Sequence, residues 1–245
     1  MRPYVILALI IISFGIFSCA TTGPGFNIPA GVGEAVLNNR PLTEAEVSGG
    51  LKEALTVGIT NGANTASQPD GYYKNSLIRI AFPPDVQKVE TRLRALGMGK
   101  LVDDFVLSLN RAAEDAAQSA KPIFISAIKS LTIKDVWGIL TGGRDAATQY
   151  LKRTTSDQLT AAFTPQIQAS LEKVEATKYY GNIINRYNQI PLVQRVNPDL
   201  TSYATQRAID GLFVLVAQEE ANIRENPIAR TTQLLRRVFA RQDKG

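Results

Sequence analysis

The run Ala208-Ile209-Asp210-Gly211-Leu212-Phe213-Val214-Leu215-Val216-Ala217, inside the longer segment Asn197 to Arg224, decides the fold. On a helical wheel Ile209, Leu212, Phe213, Val214, Leu215 and Val216 cover nearly the whole circumference. A helix that is apolar all round is a buried one. The run is about half of the ~20 residues that a bilayer span needs, and Asp210 interrupts it. The reading is a central core helix over about 199–225, wrapped by other helices. Asn197-Pro198 supplies an N-cap and a first-turn proline. Asn226-Pro227 ends the helix, because the residue before proline is pushed out of the helical region. The second pair can also open the next helix. A lone carboxylate in such surroundings is costly. Asp210 is therefore expected to be paired, hydrogen-bonded, protonated or at an opening to water, with Arg207 one turn earlier as the nearest local partner.

Outward from this segment the pattern stays helical. Thr43-Glu44-Ala45-Glu46 is a capping box, followed by Val47, Leu51, Ala54, Leu55 and Gly58 at helical spacing. Asn61 to Asn75 is polar and glycine-bearing, which predicts a loop. Leu77 to Phe82 alternates only briefly, so it reads as a short extended piece before Pro83-Pro84. Pro84 to Leu96 is helical. Lys100 to Ser119 is the cleanest amphipathic helix, with Leu101, Phe105, Leu109, Ala112 and Ala116 on one face. Lys121-Pro122 starts another. Thr132-Ile133-Lys134-Asp135 resembles a capping box, and Gly142-Gly143 ends that helix. Further helices are expected from Arg144 to Arg153, from a capping box at Thr155 to Gln158, and from Gln166 to Ala176 after a break at Thr164-Pro165. Tyr179 to Ile190 follows, and a basic amphipathic helix, Pro227 to Arg241, closes the chain. The fold class is all-α, a single compact multi-helix domain.

Composition excludes several chemistries. Hydrophobic residues make up 44% and charged residues 20% of the 245, with a net charge of +5 and no long single-sign block. That is an ordinary globular composition with no nucleic-acid signature. There is no histidine and one cysteine. Imidazole and thiolate metal sites, and Ser-His-Asp or Cys-His nucleophilic systems, are excluded. No cofactor is implied.

The cysteine has its own context. Arg2 gives a positive start, Val5 to Phe17 an apolar core, and small Ser18 precedes Cys19. This reads as a secretory signal, residues 1–18, too short to span a membrane. Ile16-Phe17-Ser18-Cys19 resembles the bacterial lipobox, which implies lipidation of Cys19. Several acyl chains on one residue anchor stably. Ala20, where an aspartate would imply retention in the inner membrane, implies the outer membrane. Residues 19–42, rich in Thr, Gly, Pro and Asn, read as a flexible linker, and 43–243 as the helical domain.

Six pieces, in this order, carry a family resemblance. They are Leu51-Lys52-Glu53-Ala54-Leu55, Asn110-Arg111-Ala112-Ala113-Glu114, Ile139-Leu140-Thr141-Gly142-Gly143, Ala146-Ala147-Thr148-Gln149-Tyr150, Gly211-Leu212-Phe213, and Glu219-Glu220 with Ile223-Arg224. Over about residues 40 to 240 the chain resembles the uncharacterised bacterial family catalogued as domain of unknown function 4197. The resemblance implies a secreted or lipid-anchored helical domain. It carries over no catalytic residue.

Four constellations are candidates for chemistry or binding. Asp103, Asn110 and Glu114 line the edge of an apolar face, with Arg111 beside Asp104 and Asp115. A carboxylate at such an edge can act as a general acid; the plainer reading is a boundary stripe of hydrogen bonds and ion pairs. Thr141-Gly142-Gly143-Arg144 precedes a helix whose N–H groups can hold an anion, with Arg144 assisting; the plainer reading is a glycine C-cap joining two helices, which explains both glycines without a ligand. Tyr179, Tyr180 and Tyr187 with Asn182, Asn185 and Asn188 suit a sugar surface or ordinary helix packing. Arg230, Arg236, Arg237 and Arg241 stripe the last helix, which fits anionic lipid, a partner protein or a solvated face. The candidate binding residues are Asn110, Arg111, Glu114, Arg144, Asp210, Glu220, Arg224 and Arg230, with Cys19 for lipidation.

Three functions follow. The first is a non-enzymatic binding or interaction module on the periplasmic face of the outer membrane, with an envelope protein or anionic lipid as partner. The second is an envelope hydrolase using Glu114 or the Glu219/Glu220 pair. The third is a carrier of an apolar ligand between helices. An acidic cleft favours the second, an enclosed apolar cavity the third, and a closed core with an exposed patch the first.

Overall fold

The computed structural model describes residues 41–239 apart from 174, 190, 193–194, 198 and 231. The expected signal segment, Cys19 and the linker up to residue 40 lie outside the described residues, as does Arg241. Nine α-helices form among the described residues: α1 Glu44–Ser67, α2 Gln87–Ala95, α3 Gly99–Ala117, α4 Ala120–Lys129, α5 Ile133–Thr141, α6 Ala146–Lys173, α7 Ala176–Asn188, α8 Leu200–Glu225 and α9 Gln233–Phe239. No strand forms among them. None of the helices is long and apolar enough to cross a membrane.

The α8 helix is the hub. It packs against α1, α3, α6 and α7; α4 and α5 each join α1 to α6, and α9 lies on α1. Leu200, Ala204, Ala208, Leu212 and Val216 put its inner face wholly into the core. Two expectations need correction. The N-cap is Asp199, whose side chain accepts from the Ser202 N–H at 2.9 Å; Asn197 sits two residues further out and accepts from the Asp199 N–H. The helix is also not buried all round. Gln206 and Arg207, Asp210, Val214 and Gln218 recur three or four residues apart and leave one narrow stripe open. Asp210 lies half-buried on that stripe, accepts from the Gln206 amide at 3.0 Å, and has no ion pair among the described residues. The expected pairing with Arg207 is absent because the carboxylate does not need it: water reaches it.

Local signals hold at the helix starts. Thr43 and Glu46 form a complete capping box, with Glu46 Oε2 2.9 Å from the Thr43 nitrogen. Thr132 and Asp135 form another, and the Thr132 hydroxyl holds the Asp135 carboxyl below its usual range. The predicted loop Asn61 to Asn75 forms only from Gln68 onward, because α1 runs on to Ser67. Gly62, Ala63 and Ala66 are buried, and Gly62 leaves room for the backbone of α8 at Leu215. Small residues that look like breakers in sequence here permit close helix approach.

Three expected pieces of chain are one helix, α6, with Pro165 inside it. Thr155 is not an N-cap; its hydroxyl donates back to the Leu151 carbonyl at 2.6 Å. Ser156, Thr160 and Thr164 likewise bond to the carbonyl four residues earlier. Such back-bonding is compatible with a helix interior. Ala147, Leu151, Thr155, Leu159, Phe163, Ile167 and Leu171 are buried at a constant stride of four. Because the helix turns every ~3.6 residues, that line winds around it. It can thus serve α3, α4, α5, α7 and α8 in turn.

Candidate functional site

The two carboxylates singled out in the sequence are both internal fastenings. On α3, Glu114 is 3% exposed. Its Oε1 accepts from the Tyr72 and Tyr73 N–H groups, each at 3.1 Å, and its Oε2 meets Arg111 Nη1 at 2.5 Å. Arg111 also bonds Asp70 at 2.6 Å, and Asp70 bonds Lys74 at 2.8 Å. Hydrogen bonds from Lys74 and then Arg111 hold the Asp70 carboxyl below its usual range. One turn back, Asn110 Oδ1 accepts from the Ile80 N–H and Nδ2 donates to the Ile80 carbonyl, both at 2.8 Å. The amide thus does what a neighbouring strand would do for the extended piece in which Ile78, Ile80 and Phe82 point inward. Asp103, expected in line with these two, is exposed and pairs with Arg94 at 2.8 Å.

The loop held in this way lies directly on the hub helix. The Tyr72 hydroxyl donates to the Ala208 carbonyl at 2.6 Å. Burial, and then the Glu114 charge, push that phenol above its ordinary range. Gly211 is required here, since a Cβ would lie 2.8 Å from the Tyr72 ring and 3.0 Å from Ile78 Cβ.

On α8, Glu220 fills the anion position expected before α6. Its oxygens accept from the Ala147 N–H at 3.0 Å, the Thr148 N–H at 2.8 Å and the Thr148 hydroxyl at 2.8 Å. A helix N-terminus attracts negative charge, and the charge comes from this chain. The assisting arginine is Arg224, not Arg144: Arg224 bonds Glu220 at 2.8 Å and the Ile139 carbonyl at 2.9 Å. Arg144 forms an exposed ion pair with Glu225. Gly142 does cap α5, with extended rather than left-handed geometry. A Cβ there would sit 2.6 Å from the Gly138 carbonyl oxygen and 2.7 Å from Ala146 Cβ, so tightness of the α5–α6 joint requires the glycine.

The last two constellations are also largely absorbed by the fold. Tyr180 is buried and stacks on Phe105 at 6.3 Å. Asn188 clamps Val196 as Asn110 clamps Ile80, with two bonds of 2.8 Å. Asn182 and Asn185 are exposed; the side chains of Tyr179 and Tyr187 lie outside the described set. The basic stripe is broken up. Arg230 is 1% exposed and donates to the Ile223 and Arg224 carbonyls, satisfying the C-terminal end of α8. Arg236 donates to the Arg230 carbonyl, and Arg237 lies 3.6 Å from Glu46. The last helix is correspondingly shorter than expected, because Pro227–Ala229 is a separate 3-10 turn and Arg230 must turn inward.

One of the open spaces is apolar. A groove of about 530 Å³ lies between α2, α3 and α7, lined by Phe82, Leu93, Met98, Leu101, Phe105 and Tyr180 among others. Phe82 and Phe105 meet at 5.0 Å and, with Tyr180, make an aromatic floor. Leu101 is 55% and Met98 43% exposed. Among the described residues the one charged lining residue, Asp104, is paired with Lys100 at 2.7 Å. The sequence reading assigned Leu101 and Phe105 to the core. The signal it passed over is that Val102, Val106 and Leu109 already fill the core face, leaving Leu101 and Phe105 over.

Among the described residues no three acids or cysteines gather as a metal site. The geometry defines a class: an all-α domain whose candidate polar clusters join its own elements and whose open surface includes an apolar groove. The chain belongs to the family described as protein of unknown function (DUF4197), whose model matches residues 41–240. No curated protein and no solved structure matches it.

Proposed function

We propose that this protein is a non-enzymatic binding module of the bacterial cell envelope, tethered to the outer membrane by lipid on Cys19, whose working surface is the groove between α2, α3 and α7. The observation that carries the reading is an aromatic-floored apolar groove with Leu101 and Met98 exposed at its edge. Its volume lies within the ~300–1,000 Å³ of small-molecule sites. The occupant that fits is a flexible hydrocarbon chain, because the lining offers almost no polar partner and methionine adapts to irregular apolar shapes. A hydrolase is not favoured: Glu114 and Glu220 each face backbone N–H groups and an arginine of this chain, with no oxygen turned to the groove.

The test uses the mature chain, an apolar naphthylamine dye and displacement by palmitate. Leu101→Asp should weaken dye binding about tenfold or more, since it sets a charge against the apolar floor, and should leave the melting temperature unchanged. Equal affinity in both proteins ends the reading. The tether is tested separately by mass spectrometry of the mature N-terminus, where an unmodified Cys19 counts against it.

A further inference from the structure

A second cleft, of about 450 Å³, opens where the N-terminus of α8 meets the middle of α6. Its walls differ in kind from those of the groove. Thr160, Thr164 and Gln168 line it from α6, at successive strides of four; Asp199, Thr201, Ser202, Thr205 and Gln206 line it from the start of α8. Every one of these carries a hydroxyl, an amide or a carboxylate, and none is a cation.

The state of these groups sets the ligand chemistry. The Thr160 and Thr164 hydroxyls donate to the Ser156 and Thr160 carbonyls, so their lone pairs remain as acceptors. Gln168 and Gln206 each donate one N–H to a carboxylate, of Glu172 and Asp210, and keep their amide oxygens. Asp199 already accepts from the Ser202 N–H. Thr205, in the cleft wall, is 3% exposed, and its hydroxyl is the one buried side-chain oxygen or nitrogen among the described residues without a hydrogen-bond partner. A buried hydroxyl left so is destabilising.

We infer that this cleft is a binding site for a neutral polyhydroxylated ligand, a saccharide unit, with Thr205 and Thr164 among its contacts. An anion is disfavoured because the lining, among the described residues, has a carboxylate and no cation. A hydrocarbon is disfavoured because it would leave the hydroxyls and amides unpaired. A polyol brings donors for the many acceptors, and an oxygen for the Thr205 hydroxyl.

Saturation-transfer NMR on the mature chain, with glucose and N-acetylglucosamine as probes and sodium phosphate as competitor, tests this. Wild type should show transfer to at least one sugar, undiminished by phosphate. Thr205→Val keeps the shape and removes the unpartnered hydroxyl, so it should weaken sugar binding about fivefold or more while the melting temperature holds or rises. Should Thr205→Val fail to fold, half-exposed Thr164→Ala carries the test with the same expected loss. Leu101→Asp should bind sugar as wild type does, which separates this site from the apolar groove. Absence of transfer to either sugar overturns the proposal, as do competition by phosphate and unchanged binding in a folded Thr205→Val or Thr164→Ala variant.

Discussion

Glu114 and Glu220 are built alike and placed differently. Each accepts from two consecutive backbone N–H groups far away in the chain and from an arginine on its own helix. Glu114 fastens an irregular loop, and its Arg111 is 41% exposed and shared with Asp70. Glu220 stands at the start of a long helix, and its Arg224 is 9% exposed. The first fastening sits at the edge of water, the second inside. A carboxylate with an arginine three or four residues away on a helix thus describes a joint as readily as a catalytic acid, and only the partner across the gap tells which.

The sharpest way to break the comparison is at the inner joint. Glu220→Ala leaves Arg224 without its carboxylate and the α6 N–H groups without an acceptor. It should cost about 3–5 kcal/mol, the loss typical of one side of a buried pair. That corresponds to a melting temperature lower by roughly 10 °C in a domain of this size. A drop of only a degree or two would mean that the joint is wet.

Asn110→Ala comes next. It strips both the Ile80 N–H and carbonyl of their partner and should cost about 2–3 kcal/mol, read in a urea melt. Hydrogen exchange at Ile80 should rise before exchange in α8 does; uniform acceleration would show that the clamp holds the whole domain, not the loop. Arg111→Ala should be milder, about 1 kcal/mol, because its side chain is partly in water and Glu114 keeps its two backbone donors. If it matched Glu220→Ala, the contrast between outer and inner joints would fail.

The smallest effect is in acid. Asp70 has a lowered folded-state pKa, so its contribution is present above its unfolded value of about 4 and lost as the pH falls through the folded value. Asp70→Asn should therefore flatten the fall of melting temperature below about pH 4 relative to wild type. Parallel curves for the two proteins would remove Asp70 from the outer joint.

The joints also mark where the sequence stops being readable. Helix starts at Thr43 and Thr132 are legible because their partners lie three residues away. The all-α class and the hub helix are legible from periodicity. The extent of α1 is not, because Gly62 meets the backbone of a helix that comes some 150 residues later, and Ala63 and Ala66 are buried only in the assembled domain. Nor is the unity of α6, whose hydroxyls look like caps until their back-bonds are seen. Glu114, Glu220, Arg224 and Arg230 stand out in the sequence as polar residues beside apolar ones. Their inward turn depends on backbone groups brought from distant segments, which no local pattern records. The groove and the cleft are spaces between helices and have no sequence of their own.

The position of α8 along the chain has a temporal consequence. The helix that fills the centre begins only at Leu200. At ~5–20 residues per second, a ribosome spends roughly 10–40 s making the preceding two hundred residues before that filling exists. Until then α1, α3 and α6, although α3 packs on both of the others, lack the helix that fills the space between them. For a protein that must thread through a membrane before folding, as the proposed location requires, such lateness keeps the chain exportable. It also makes the C-terminal end the worst place for a nick: cutting within 200–225 takes away the centre of the molecule, and not its fringe.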